Sequence, residues 1–149
     1  MHWADVVAVN LSRRGNKHII STGITPSGEF HIGHLREILT GEMISRAAMD
    51  AGLEVDFIFI VDDADPLRRV YPFLDDEYSK YIGHQIGNIP APDDNGKPDY
   101  QRFTNEGLNY ADYFLKPFLD ALETIGVKPR IVKNLAAYRD GKFTDCSKI

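Results

Sequence analysis

Apolar residues recur along the chain with two different spacings, and the spacings predict alternating strands and helices. Residues 18–22 predict a short buried strand, and the β-branched and aromatic run 54–61 has the length of a second strand. Between them, apolar side chains three and four apart predict a long helix that ends before Gly52: Leu35, Ile38, Leu39, Met43, Ile44 and Ala47. A strand, a glycine-containing loop, a helix and a strand form a βαβ unit, which opens a doubly wound parallel α/β sheet.

The remaining pattern predicts shorter elements around this unit. A short helix is expected before Gly15, and a longer amphipathic helix over about 106–125, with Pro117 kinking it. Residues 130–133 predict a third strand, followed by a helix or turn. The stretch of about 62–105 is punctuated by prolines and predicts an irregular insertion, for which a solvated linker is the alternative to a functional role. There are no internal repeats, and one domain is expected.

Three strands make only about half of a doubly wound sheet, so one sheet edge is expected to be bare. Proteins normally protect such edges because unpaired backbone groups recruit other strands. The chain is therefore expected to be a fragment, or to have its edge covered by a second copy or a partner chain.

Composition narrows the class of protein. The 149 residues are 43% hydrophobic and 26% charged, with a net charge of −5, which excludes a uniformly basic nucleic-acid coat but not a local basic patch. The one cysteine, Cys146, excludes an internal disulfide and a cysteine-rich zinc site. With no signal-peptide pattern and no apolar run long enough to span a bilayer, the sequence predicts a cytoplasmic protein.

The stretch "TGITPSGEFHIGHLRE" carries the strongest candidate chemistry. It leaves the first strand and enters a helix N-terminus, where backbone N–H groups and the helix dipole favour phosphate. His31 and His34 are three apart, so both imidazoles can donate hydrogen bonds to one anion and stabilise charge on a transferring phosphoryl group. Gly28 and Gly33 permit close approach of a ligand. No metal site is predicted, because a third ligand is not evident.

Three aspartates follow the second strand. Asp62, Asp63 and Asp65 lie at the carboxyl end of this strand, and a capping or turn cluster before Pro66 is the alternative to a functional role. Arg68 and Arg69 are interpreted as solvated surface residues.

Several blocks, in order along nearly the whole chain, resemble class I lysyl-tRNA synthetases of the archaeal type. They are "HWADVVA", "STGITPSGEFHIGHLREILT", "VDDADPLRRVYPFL", "YIGHQIGNIPAPD" and "NYADYFLKPFLDALETIGVKP". The sequence "HIGH" matches the class I signature, and "TGITPSG" with "HWAD" narrows the resemblance to the lysyl enzymes. The resemblance implies that residues 1–149 are the N-terminal part of a HIGH-type Rossmann catalytic domain, with the insertion at about 62–105.

The resemblance also implies site residues. His31 and His34 would be catalytic, Gly33 would pack on adenine, and Asp62, Asp63 and Asp65 would face lysine. The resemblance implies one set of residues that bind ATP and another that binds lysine. ATP would be bound by Thr25, Pro26, Ser27, Gly28, His31, Gly33 and His34, and lysine by Gly23 and Thr25 with the three aspartates. The implied substrates are ATP, accompanied by Mg²⁺, lysine and tRNA(Lys).

Two departures from the family pattern bear on activity. The second motif, Lys-Met-Ser-Lys-Ser, is absent, so the segment alone is expected to bind ATP weakly and to catalyse poorly. The family's "CHESYAEHF" corresponds to "NEGLNYADYF", which lacks the Cys-His pair, and Tyr110 is expected to pack in the core. Two alternatives remain: a small nucleotidylyltransferase of the same superfamily, or a non-catalytic truncated homologue acting as a ligand-binding or assembly module.

Overall fold

A computed structural model describes residues 2–144, and the chain has an α/β fold. Cys146 lies outside the described residues. The elements are α1 Trp3–Ser12, β1 Lys17–Ile24, α2 Ile32–Asp50, β2 Glu54–Val61, α3 Tyr100–Glu106, α4 Tyr110–Thr124, β3 Arg130–Lys133 and α5 Asn134–Arg139. The predicted βαβ unit is confirmed, and β2 and β3 have the predicted bounds.

The sheet is parallel and has the strand order β1-β2-β3. Neighbouring strands along the chain are therefore neighbours in the sheet, as expected for the first half of a doubly wound fold. β1 is longer than predicted, and the expectation that it is buried is wrong, because the side chain of Ile19 is 71% exposed. The physical reason is that exposed and partly buried residues alternate along most of β1, so one face of this strand is uncovered in the described part of the chain.

The chain divides into two compact units. The first contains the described residues up to Ile24, together with His31–Ile60 and Leu122–Val132. In this unit α2 packs against α1 and β1. The packed face of α2 differs from the predicted apolar stripe, because Met43 is exposed and the buried residues are Ile38, Gly41, Ser45 and Ala48.

α1 shows the same preference for small residues at its contact. Ala4 and Ala8 are buried, whereas Val6 and Val9 are exposed. Ala8 lies in a cluster with Ala48 and Leu53. Small side chains therefore lie at the contact between these helices, while larger apolar residues of α1 remain exposed.

The second unit contains Thr25–Phe30, Val61–Ala121 and the described residues from Lys133. Its insertion is largely irregular, as predicted, with two 3₁₀ helices at Asp76–Tyr81 and Ile86–Asn88. It is also densely packed: an aromatic core, here called the tyrosine cluster, consists of Leu67, Leu74, Tyr78, Ile86, Ile89, Tyr110, Ala111 and Phe114. A solvated linker is therefore excluded for this segment.

The long helix predicted over about 106–125 is two helices in the structure. α3 begins at Tyr100 and ends before Gly107, which adopts φ +70° in the left-handed region that favours glycine. α4 then begins at Tyr110 and contains Pro117. No helix in the described part of the chain combines the length and the apolar composition needed to cross a bilayer.

Candidate functional site

Contacts within the second unit hold the loop Thr25–Phe30, which connects β1 to α2. The Thr25 hydroxyl donates to Asp65 Oδ2 at 3.3 Å, and the Ser27 N–H donates to the Thr25 carbonyl at 2.8 Å. The Tyr110 hydroxyl donates to the Ser27 carbonyl at 2.7 Å. Pro26 is fully buried. The loop is therefore anchored at successive residues.

Aromatic packing continues the anchoring at the other end of the loop. The Phe30 ring stacks on Phe118 with 4.3 Å between centroids. Gly28 lies against Phe73, whose Cζ would be 3.2 Å from a Cβ added at Gly28. The absence of a side chain at Gly28 thus serves packing inside the unit, whatever it does for a ligand.

His31 and His34 are brought together at the N-terminus of α2 in the first unit. His31 is the N-cap, and its Nδ1 accepts the Gly33 N–H at 3.1 Å. The Nδ1 of His34 accepts the His31 N–H at 3.2 Å. The two rings lie 3.9 Å apart between centroids, at 37°. The predicted juxtaposition of the imidazoles is confirmed.

This capping arrangement determines which ring nitrogens can act as donors. A neutral imidazole whose Nδ1 accepts a hydrogen bond carries its proton on Nε2. Both rings are therefore Nε2–H tautomers when neutral, and Nε2–H is the group each presents as a donor. The Gly33 amide is not available to a phosphate, because the His31 ring already accepts it. One backbone N–H at this helix end is thus engaged by a side chain, and phosphate binding at the helix N-terminus stays a prediction.

Gly33 has a visible structural role. A Cβ added at Gly33 would lie 2.8 Å from Cε1 and 2.9 Å from Nδ1 of His31. Real Cβ atoms do not approach ring atoms so closely, so a side chain would displace the cap. Packing of adenine on Gly33 stays a prediction.

The environment of His34 favours its neutral form. Burial lowers its pKa below the ordinary value, and the neighbouring His31 ring acts in the same direction. Glu37 opposes the shift. A neutral His34 at physiological pH retains the Nδ1 lone pair that accepts the His31 amide.

The three aspartates after β2 each have a different partner within the second unit. Asp63 is buried, and its Oδ1 accepts the Leu135 N–H at the start of α5 at 2.7 Å. Asp62 Oδ1 accepts from Asn134 Nδ2 at 3.1 Å. Asp65 accepts from Arg68 at 2.9 Å in addition to Thr25.

These partners distinguish the aspartates chemically. Asp63 accepts an N–H in the first turn of α5, a partner 72 residues away in sequence rather than in a local turn before Pro66. The charge of Asp65 is partly balanced by Arg68, an exposed residue, as expected. The recorded partner of Asp62 is a neutral amide. Binding of lysine by any of the three stays a prediction.

Gly23, predicted to line a lysine pocket, lies where β1 and β2 approach closely. A Cβ at Gly23 would be 3.0 Å from the Ile60 carbonyl oxygen. Its N–H lies 3.4 Å from Glu37 Oε1. The close approach of the two strands accounts for glycine here, and a contact with lysine stays a prediction.

Sequence reasoning missed two features of the site. Tyr110 is buried in the core, as expected, but its hydroxyl also anchors the loop Thr25–Phe30. The partnership of Asp62 and Asp63 with α5 was not foreseen either. The sequence carried one signal of the Tyr110 contact. Tyr110 is a tyrosine rather than a phenylalanine on an apolar helix face, and a buried tyrosine hydroxyl needs a hydrogen-bond partner. Within residues 2–144, no three His, Cys, Asp or Glu side chains are placed to hold a metal ion.

Comparison with known proteins identifies the class. The sequence profile described as "tRNA synthetases class I (K)" matches residues 1–149, and the chain belongs to this family. The relatives are named lysine–tRNA ligases. The enzyme of Methanosarcina barkeri is 43% identical over 148 residues, which are 99% of this chain and 26% of the relative.

Two further relatives show the same coverage. The lysine–tRNA ligase of Archaeoglobus fulgidus is 43% identical over 149 residues, 100% of this chain and 28% of the relative. That of Thermoplasma volcanium is 43% identical over 145 residues, 97% of this chain and 26% of the relative. The chain spans about a quarter of the length of the curated relatives it matches.

Proposed function

We propose that this chain contributes to a lysine–tRNA ligase in which lysine and ATP form lysyl-adenylate, with release of pyrophosphate, before transfer of lysine to tRNA(Lys). The similarity to lysine–tRNA ligases along nearly the whole chain supports the choice of reaction. The chain would act in the cytoplasm, and Mg²⁺ would enter with ATP as part of the substrate.

The observation that carries the proposal is the pair of imidazoles at the start of α2. Their Nδ1 atoms accept backbone N–H groups, so each neutral ring carries its proton on Nε2, and in this proposal the two Nε2–H groups donate to the polyphosphate. Donors that are already oriented can stabilise charge developing on the α-phosphoryl group without reorganising. The remaining ATP-binding residues in this proposal are Thr25, Pro26, Ser27, Gly28 and Gly33.

For lysine, the proposal assigns Gly23 and Thr25 together with Asp62, Asp63 and Asp65. Lysine carries ammonium groups at both ends, and carboxylates are the side chains that bind them by charge-assisted hydrogen bonds. Among the three, the recorded partner of Asp62 is a neutral amide, whereas Asp65 already pairs with a guanidinium group. This difference favours Asp62 over Asp65 for the substrate ammonium.

Calorimetric titration of the chain with lysine, arginine and glutamate, each in the presence of a non-hydrolysable ATP analogue, tests the proposal. We expect lysine to bind in preference to the other two. Asp62→Asn should weaken lysine binding more than Asp65→Asn, since the Asp62 carboxylate accepts only from a neutral amide in the described structure, whereas the Asp65 carboxylate already binds the Arg68 guanidinium.

Three outcomes would contradict the proposal. A preference for glutamate would exclude the acidic lysine site. Binding of nucleotide without any effect of amino acids would indicate a nucleotidylyltransferase. If the chain binds neither the nucleotide nor any of the amino acids, the result would indicate an assembly module.

A further inference from the structure

The hydroxyl of Tyr110 is buried in the tyrosine cluster and has one recorded partner, the carbonyl of Ser27. Tyr110 is fully buried, and its ring lies 4.9 Å from Phe114 and 5.9 Å from Tyr78 between centroids. The hydroxyl reaches 83 residues back along the chain to the loop Thr25–Phe30, at 2.7 Å. A buried hydroxyl without a partner is costly, so this contact is strongly favoured.

The donor and the acceptor of the hydrogen bond between Tyr110 and Ser27 are fixed. Burial raises the pKa of Tyr110 well above its usual value, so the hydroxyl stays protonated throughout the physiological range. The Ser27 carbonyl can only accept. The hydrogen bond therefore always runs from Tyr110 to the loop.

Both backbone polar groups of Ser27 are engaged. Its N–H donates to the Thr25 carbonyl, and its carbonyl accepts from Tyr110. In a planar trans peptide, the carbonyl of one residue and the N–H of the next point in opposite directions. The described chain has no cis peptide bond. The Gly28 N–H consequently points away from Tyr110, and no acceptor for it is recorded within residues 2–144.

We propose that Tyr110 is a positioning residue whose hydroxyl, through the Ser27 carbonyl, aims the Gly28 N–H at a phosphate group of ATP. This inference rests on the proposed binding of ATP by the loop Thr25–Phe30. The Gly28 amide is the group that touches the ligand, and Tyr110 acts through it.

A hydrogen bond that only stabilises the fold would explain the same contact, and Tyr78 provides the matched control. Tyr78 is fully buried in the same cluster, and its hydroxyl donates to the Pro90 carbonyl at 2.9 Å. Pro90 lies outside the loop Thr25–Phe30. Tyr78→Phe and Tyr110→Phe thus delete the same kind of hydrogen bond from the same core, and both leave the aromatic ring in place.

The first measurement uses the chain without nucleotide. The ¹⁵N relaxation order parameter of the Gly28 N–H reports how firmly this vector is held, with about 0.85 for rigid backbone and below about 0.6 for flexible backbone. We expect Tyr110→Phe to lower the Gly28 value towards the flexible range and Tyr78→Phe to leave it unchanged.

The second measurement compares the binding of ATP and adenosine by calorimetry. Loss of one oriented hydrogen bond corresponds to about a three- to tenfold loss of affinity. Tyr110→Phe should lower the affinity for ATP by this factor and leave the affinity for adenosine unchanged, because only ATP offers phosphate to the Gly28 N–H. Tyr78→Phe should change neither affinity.

The outcomes separate this inference from the function on which it rests. If the wild-type chain binds ATP but Tyr110→Phe behaves like Tyr78→Phe in both measurements, the positioning role is wrong. If Tyr110→Phe weakens ATP and adenosine equally, the contact serves general stability and the phosphate role is wrong. If the wild-type chain does not bind ATP, the proposed function fails and the phosphate role fails with it.

Discussion

Two histidines in this chain cap helices in the same way, so capping by a histidine does not by itself indicate a functional site. His2 caps α1, accepting the Ala4 N–H, while Asp5 accepts the His2 N–H in return. His31 caps α2 in the same reciprocal manner, but its partner at the third helical position is a second imidazole, His34. The pairing of two imidazoles, rather than the cap, distinguishes the proposed functional histidine.

Because His31 both caps α2 and presents Nε2–H, substitution should separate stability from binding. His31→Ala removes the cap and should lower the free energy of unfolding by about 0.5–2 kcal/mol. His31→Asn should retain most of that stability, since asparagine is a favourable N-cap. Both variants should weaken ATP binding, because both lack the imidazole donor; urea unfolding and calorimetry provide the two measurements. ATP affinity in His31→Asn equal to that of the wild type would contradict the role of the ring.

His34 provides a prediction about pH. Its pKa is lowered in the folded chain, mainly by burial, so the folded state binds this proton less readily than the unfolded state does. Its contribution to stability is fully present above the ordinary histidine pKa of about 6.5 and is lost as pH falls through that value towards the lowered one. An NMR titration of the His34 ring should give a midpoint below the ordinary value. Stability between pH 7 and 5 should fall less steeply in His34→Gln, and identical slopes would contradict the prediction.

At the scale of the element, α2 is held by the small residues on its buried face. The position of Gly41 is the most restrictive, because a Cβ there would lie 2.7 Å from Thr22 Cγ2 and 2.9 Å from Phe57 Cε2. Helix propensity alone favours alanine over glycine by about 1 kcal/mol. Packing against β1 and β2 acts in the opposite direction.

We expect packing to outweigh propensity at Gly41. Gly41→Ala should lower the free energy of unfolding by about 1–3 kcal/mol, the usual cost of overpacking, as measured by urea denaturation. Thr40→Ala, at the neighbouring exposed position of the same helix, is the control and should change stability by no more than about 0.5 kcal/mol. A Gly41→Ala variant more stable than the wild type would contradict this expectation, because it would show that the Thr22 and Phe57 side chains can move to accommodate the methyl group without loss of stability.

At the scale of the whole molecule, β1 presents an exposed apolar side chain on an edge of the described sheet. Ile19 is exposed on this edge, and unpaired edge strands recruit other strands. We therefore expect self-association of the 149-residue chain to occur through β1.

Replacement of Ile19 by lysine should reduce association, because it removes the exposed apolar side chain in addition to placing a charge on the edge strand. Sedimentation velocity over a range of concentrations should show less concentration-dependent association in Ile19→Lys than in the wild type. Ser21→Lys adds the same charge to the same strand at an exposed polar position and should reduce association less. An equal effect of the two variants would attribute the change to net charge, and no effect of either would place association elsewhere.

Local patterns were sufficient for some of this structure. The uninterrupted β-branched and aromatic run at Glu54–Val61 specified a strand with its bounds, and Arg130–Lys133 did the same. The bounds of α3 and α4 were not recovered, because an apolar periodicity continues through Leu108 while the left-handed conformation of Gly107 ends the first helix. Periodicity reports where apolar side chains recur, whereas a helix boundary depends on the backbone.

The sequence by itself determined the βαβ order, the family, and the placement of His31 and His34 at one helix end, since each is carried by patterns and motifs that can be read along the chain without knowing its tertiary contacts. The tertiary structure alone decided that Gly41, Ser45 and Ala48 rather than Met43 lie on the packed face of α2, that Asp63 accepts the Leu135 N–H of α5, and that the Tyr110 hydroxyl holds Ser27. These contacts join residues that are distant in sequence. Which partner a side chain meets is decided by the element that packs against it, and no local pattern carries that information.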